Sequence, residues 1–160
     1  MMALEIIVGI GEYAVTNTAS VIKTFALATC VAVTVYSPRR KAAGMAHIAL
    51  PAPSPDLGEV KRPAYYATTG IPLLIQEMQT KFGCVKKELI VNLFGGAISG
   101  HTFDTFNIGE KNIAMAKKVL SQLQLPIAKE EVGGRVSRTL ILDVKTGMVQ
   151  IYTQPLLLRE

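Results

Sequence analysis

The sequence predicts an α+β domain. Three features carry that expectation: short β-branched runs bounded by turn residues, a pair of amphipathic helical stretches, and no strict alternation of strand and helix. The expected form is a largely antiparallel or mixed sheet system with two main helices packed on it. All 160 residues, numbers 1–160, are expected to make a single domain.

The elements follow in order. Residues 6–8 are β-branched and strand-like. Residues 12–15 and 21–28 have the same character and are parted by Thr16-Asn17-Thr18, which has turn chemistry. Residues 31–36 alternate β-branched with small side chains, Ser37-Pro38-Arg39-Arg40 breaks the run, and 44–50 resume as a strand. Pro51, Pro53 and Pro55 end that strand and open a polar loop reaching Arg62-Pro63. A helix follows, with Thr68 as its cap and Pro72 in its first turn. Ile71, Leu74, Ile75, Met78 and Phe82 fall at helical spacing, and Gly83 ends it. Residues 89–94 form a buried-type strand that stops at Gly95-Gly96. A second amphipathic helix spans about 110–123, with Ile113, Ala116, Val119, Leu120 and Leu123 on its apolar face and Pro126 closing it. Strands at 139–144 and 148–152, joined through Lys145-Thr146-Gly147, complete the chain.

Composition narrows the function classes. About half the residues (49%) are hydrophobic and 18% are charged, which suits a globular core. No apolar run is long enough to cross a bilayer, and the opening has neither a basic leader nor a long apolar stretch, so a soluble protein without a secretion signal is expected. With two cysteines there is no disulfide framework, and reduced thiols in a cytoplasm fit better. The net charge of +5 favours acidic partners. It does not favour nucleic acid, because basic residues cluster only at Arg39-Arg40-Lys41 and neither aromatic interleaving nor zinc spacing accompanies them.

The candidate motifs separate on what each would require. Gly9-Ile10-Gly11-Glu12-Tyr13-Ala14 matches a nucleotide-binding glycine pattern, but Val15-Thr16-Asn17-Thr18 is poor material for the helix that must follow. It reads as a tight turn between strands. Gly95-Gly96 and Gly133-Gly134 are either backbone concavities for a substrate or turns needing positive φ, with the turn favoured. Cys84 follows a helix end and reads as a small buried hydrophobe, and His101 sits in a polar stretch and reads as a surface residue. Cys30 and His47 have more to say. If 31–36 and 44–48 form a hairpin turning between Pro38 and Arg39, Cys30 lies directly opposite His47 on one face, with Cα atoms about 4.5 to 5.5 Å apart. That is the arrangement of a thiol nucleophile and its base. A slip of one residue would put them on opposite faces.

At these residues the chain also resembles a known family. Val8-Gly9-Ile10-Gly11-Glu12-Tyr13 resembles the opening of CheD, the chemoreceptor glutamine deamidase. Leu27-Ala28-Thr29-Cys30-Val31-Ala32-Val33 resembles its nucleophile segment, with Ala28-Thr29 where the family usually shows Gly-Ser. Ala46-His47-Ile48-Ala49-Leu50-Pro51 resembles its His-x-x-Leu-Pro segment. Phe94-Gly95-Gly96-Ala97, Asn107-Ile108-Gly109-Glu110-Lys111-Asn112, Val132-Gly133-Gly134-Arg135 and Asp143-Val144-Lys145-Thr146-Gly147 follow in order, so the resemblance runs from about residue 6 to residue 152.

The resemblance implies an α/β layered sandwich and a Cys–His–Thr site on Cys30, His47 and Thr24. It implies deamidation of glutamines on the cytoplasmic helices of chemoreceptors through a thioester, without metal, cofactor or membrane insertion. It implies a CheC-type phosphatase as regulatory partner. The cleft around Gly95, Gly96, Ala97 and Phe103 is expected to bind substrate or partner, and CheC should compete with receptor if it docks there. In one straight strand Thr24 would lie roughly 20 Å from Cys30, so either the chain bends near Ala26 to Thr29 or Thr24 is not in the site. Cys30, ion-paired with His47, is expected to be the fast-reacting thiol and Cys84 the slow one. The alternatives are a CheD-like adaptor that regulates CheC with little catalysis, and a Cys–His hydrolase of other amides or esters.

Overall fold

The centre of the molecule is a strand buried on both sides. In the computed structural model, which describes residues 4–98 and 106–156, all seven residues of β4 (Val31–Ser37) are buried. Val31, Val33 and Val35 point into one apolar core, while Ala32 and Tyr36 point into another. A strand covered on both faces needs no polar side, which is why its sequence is nearly continuous in small and apolar residues. The remaining strands are β1 (Leu4–Ile7), β2 (Tyr13–Thr16), β3 (Ser20–Leu27), β5 (Ala42–Ile48), β6 (Ile90–Gly95), β7 (Ile127–Val132), β8 (Val136–Asp143) and β9 (Val149–Pro155). The helices are α1 (Ala67–Phe82) and α2 (Ile108–Gln122).

Among the described residues these strands form two mixed sheets. One has the order β1-β3-β8-β9 and the other β2-β5-β4-β6-β7. The pairs β1–β3 and β6–β7 are parallel and the other neighbours antiparallel. Both helices pack on the five-stranded sheet. The result is three layers: helices, five-stranded sheet, four-stranded sheet. One core, including Ile71, Leu74 and Met78 of α1 and Leu120 of α2, fills the space between helices and sheet. The second, including Ile22, Met45, Phe94, Leu140 and Leu142, fills the space between the sheets. This is the α+β layered arrangement expected.

Several boundaries differ from the sequence reading, each for a physical reason. Thr68 lies inside α1 and does not cap it; the N-cap is Tyr66, which makes no side-chain cap bond. The backbone N–H groups of Ala67 and Thr68 donate instead to the carbonyls of Leu50 (3.0 Å) and Pro51 (3.1 Å), so the preceding loop does the work of a cap. Pro72 consequently falls beyond the first turn of α1. β7, Ile-Ala-Lys-Glu-Glu-Val, was not expected; it is an edge strand with exposed charges at its middle, and its parallel partner is remote in sequence. Gly83 closes α1 as expected, in the left-handed conformation and donating to the Gln79 carbonyl.

The topology brings one set of chain ends together. β4 starts, and β5 and β6 end, at the same edge of the layers, as their antiparallel register shows at Val31↔Ile48 and Val31↔Gly95. β3 ends there too, and the loop from Ala28 to Cys30 crosses from it into β4. That end of the sandwich holds the residues considered below.

The two-core arrangement sets an order for stability. Leu74, fully buried between α1 and the sheet, should cost about 2 to 5 kcal/mol when changed to Ala. Met148, 68% exposed, should cost under about 0.5 kcal/mol in the same substitution. Urea unfolding of the two variants checks the order.

Candidate active site between the sheets

His47 lies on β5 with Met45 and Ala43, on the face that looks toward the four-stranded sheet. Thr24 lies on β3 of that opposing sheet and shares its inward face with Ile22. The two side chains meet across the gap, with Thr24 Oγ1 2.6 Å from His47 Nδ1. Both residues are buried, at 0% and 3% exposure. Thr24 Oγ1 is also 2.6 Å from the Val8 carbonyl, to which it donates. A hydroxyl has one proton, so with that proton on Val8 the Thr24 oxygen must accept from His47. The imidazole then carries its proton on Nδ1, and Nε2 keeps a free lone pair. Nε2 is buried and has no hydrogen-bond partner among the described residues. This is the tautomer a general base needs.

The bend that Thr24 requires is present. From Thr24 to Leu27, β3 runs three residues against the two from Leu140 to Arg138 on β8, which is a β-bulge. Ala26 sits there with φ of 54°, a left-handed conformation uncommon for alanine. Its N–H donates to Thr139 Oγ1 at 3.1 Å. The extra residue turns both Thr24 and Leu27 inward and swings the chain toward Cys30.

The register around Cys30 differs from the sequence expectation. His47 pairs with Ala32, and the β4–β5 ladder stops at Val31↔Ile48. The turn is centred one residue later than supposed, between Arg39 and Arg40, because pairing continues to Ser37↔Ala42. Cys30 is therefore diagonal to His47, not opposite it. A shift of two keeps the shared face, and a diagonal pair lies about 7 to 8 Å apart at Cα, within reach of an imidazole. Cys30 is partly buried against the inter-sheet core.

Gly95, Gly96 and Ala97 hold this loop. Gly96 N–H donates to the Cys30 carbonyl at 2.8 Å and Ala97 N–H to the Ala28 carbonyl at 2.7 Å. Gly95 has φ of 100°, and a Cβ there would stand 2.3 Å from the Cys30 carbonyl oxygen, so only glycine permits the approach. All three residues are buried. The Gly96 and Ala97 amides are turned to the Cys30 loop. The exposed apolar neighbour is Ile98. Phe103 and His101 lie outside the described residues. Gly133-Gly134 is a turn with open space at both glycines, as expected. Cys84 is buried against the helix-side core, as expected of a structural residue.

Burial disfavours the charged form of both Cys30 and His47. Burial pushes the His47 pKa down to about 4, although the Glu12 charge and the Val8 carbonyl act the other way. Burial pushes the Cys30 thiol up, partly offset by its own backbone amide. Both shifts favour the neutral forms, a thiol and an unprotonated imidazole, and His47 Nε2 makes no hydrogen bond to the Cys30 sulfur. Two further residues escaped the sequence reading. Arg138 is buried beside the bend, paired in register with Leu27 and donating to the Gly133 carbonyl at 2.9 Å. Asn112, on α2, donates to the carbonyls of Thr29 and Ala49. Its position within Asn107-Ile108-Gly109-Glu110-Lys111-Asn112 was the available signal. Among the described residues no cluster of three His, Cys, Asp or Glu side chains could hold a metal.

Comparison with known proteins gives a consistent picture. Residues 49–153 match the family described as CheD chemotactic sensory transduction. That stretch includes Asn112 and begins just after His47. A protein of Syntrophotalea carbinolica called a probable chemoreceptor glutamine deamidase CheD is 44% identical, over 92% of this chain and 93% of its own. Proteins of the same description from Desulforamulus reducens and Pyrococcus abyssi are each 40% identical, over 93% and 94% of this chain and 90% and 92% of theirs. Among solved structures, the Bacillus licheniformis hypothetical protein YfiH aligns with a TM-score of 0.49 at 12% identity, and this chain spans 49% of its length.

The buried neutral histidine makes stability depend on pH. The unfolded chain takes up a proton below about 6.5, whereas the native protein resists until about 4. Stability should therefore fall as pH drops through that window, by on the order of 3 kcal/mol from this residue, and level off below it. His47→Gln should remove that component, measured by urea unfolding at several pH values. The raised Cys30 thiol makes a separate prediction: its alkylation rate should keep climbing above the ordinary thiol range. A plateau beginning in mild acid would mean an ion pair.

Proposed function

The chain belongs to the CheD family, and on that premise we propose that it deamidates glutamine side chains of chemoreceptors, with Cys30 as nucleophile and His47 as base. The observation that carries the reading is the buried chain from the Val8 carbonyl through Thr24 to His47, which leaves Nε2 unprotonated and free. The names of the relatives supply the substrate class.

The steps follow from the residue types. As the sulfur of Cys30 attacks the carboxamide carbon, its proton passes to His47 Nε2, so charge appears only with the substrate bound. Thr24, still accepting from Nδ1–H, orients the imidazolium and stabilises it. Backbone N–H groups around Cys30 steady the oxygen of the tetrahedral intermediate. Nε2 then returns its proton to the nitrogen, ammonia departs, and a thioester remains. Water loses a proton to Nε2 and attacks the thioester. The intermediate collapses, the glutamate carboxyl is released and the thiol is restored. No metal or cofactor enters.

Substrate helices on the cytoplasmic side of a chemoreceptor put the protein in the cytoplasm in this reading. No helix among the described residues is long and apolar enough to cross a membrane. A CheC-type phosphatase is the proposed regulatory partner. The adaptor alternative gains no observation of its own from the site.

Cys30→Ala should abolish conversion of receptor glutamine to glutamate while leaving the unfolding midpoint nearly unchanged. His47→Gln should be comparably inactive. Thr24→Val should lose roughly 10- to 100-fold, because an unfixed imidazole still samples the working tautomer. Mass spectrometry of receptor cytoplasmic fragments, with ammonia release in parallel, reads all three. Full activity in Cys30→Ala would sink the mechanism.

A further inference from the structure

We propose that Asn112 is a positioning residue for the deamidase reaction, replacing the missing rung of the sheet between the Cys30 loop and the His47 strand. The inference rests on the reading above. Asn112 is fully buried. Its Nδ2 donates to the Thr29 carbonyl at 2.9 Å and to the Ala49 carbonyl at 3.0 Å. Thr29 immediately precedes Cys30, and Ala49 lies just past His47.

The geometry explains why this residue type is needed. The β4–β5 ladder ends at Val31↔Ile48, so the next rung would join Cys30 and Ala49. There the two strands part and present carbonyls, at Thr29 and Ala49, which cannot bond each other. One side-chain nitrogen with two protons can satisfy both. On the β6 side, the Cys30 loop is held by the backbone amides of Gly96 and Ala97. On the β5 side, Asn112 is the group that ties it among the described hydrogen bonds. The carboxamide is brought there by α2, whose first turn presses on the same glycine segment. A Cβ on Gly109 would stand 2.7 Å from the Gly96 carbonyl oxygen and 2.2 Å from that of Ala97. Among the described residues the buried Asn112 Oδ1 has no partner, a cost that filling space alone does not require.

The spacing between nucleophile and base thus depends on a helix that contributes neither of them. Asn112→Asp keeps the shape and loses both donors; Asn112→Ser shortens the side chain. In each, kcat should fall roughly 10- to 100-fold with KM little changed, since the reacting groups are displaced and the docking surface is not. The pH profile of Cys30 alkylation should shift as well, while that of Cys84 in the same samples should not. A lowered unfolding midpoint with unchanged kcat and an unchanged Cys30 profile would make Asn112 a structural residue only and overturn the proposal.

Should the variants fail to fold, the native protein still decides. The side-chain amide protons of Asn112 should exchange with solvent far more slowly than those of exposed Asn17. Equal rates would refute the pair of hydrogen bonds. If the native protein released no ammonia from receptor, the deamidase reading would fall, whereas the alkylation and exchange results would still report on Asn112.

Discussion

A hydroxyl shared between a carbonyl and an imidazole ties the two sheets together at the working end of the molecule. Thr24 comes from one sheet and His47 from the other, and both side chains are buried. In a buried setting a hydrogen bond is strong and an unmade one is costly, so the Val8–Thr24–His47 series tolerates little displacement. Much of the local backbone follows from it. The bulge in β3 and the left-handed Ala26 exist where the strand must turn Thr24 inward and still deliver the chain to Cys30. Strain of that kind persists only where surrounding contacts over-determine it.

The same burial governs the chemistry. Excluding water lowers the basicity of His47 and raises the thiol pKa, so burial favours the neutral form of each. A permanently ionised thiolate would be exposed to adventitious oxidation and alkylation. In the proposed reaction a neutral pair keeps its nucleophilicity for the moment when a carboxamide is in place. The compensation is orientation: the tautomer is set in advance by Thr24, and no proton has to be rearranged within the ring before transfer.

The helix layer contributes at a distance. α2 packs on the five-stranded sheet through Ala116, Val119 and Leu120, and its N-terminal end reaches the segment that wraps the Cys30 carbonyl. Glycines at 95 and 109 allow backbones to approach where any side chain would intrude. The helix core therefore has a bearing on the site: its packing sets where Asn112 stands, and Asn112 bridges the segments beside Cys30 and His47.

Most of the element plan was legible in the sequence, because strand and helix follow from local periodicity and from the turn chemistry of glycine and proline. The two helices, the strands on either side of Ser37-Pro38-Arg39-Arg40 and the closing hairpin all carry such signals. β7 does not, since an exposed edge strand paired to a distant partner needs no apolar alternation. That Cys30 and His47 share a face was also legible, because the period of a strand is two and any even error in register preserves the face. The register itself was not, because it depends on how far the hairpin pairs, out to Ser37↔Ala42. The family resemblance put Thr24 with His47, but two things were decided only by the tertiary structure: the tie of the Thr24 hydroxyl to the Val8 carbonyl and the clamp made by Asn112. Each arises from groups far apart in the chain and from the water that their packing excludes, and local spacing carries no record of either.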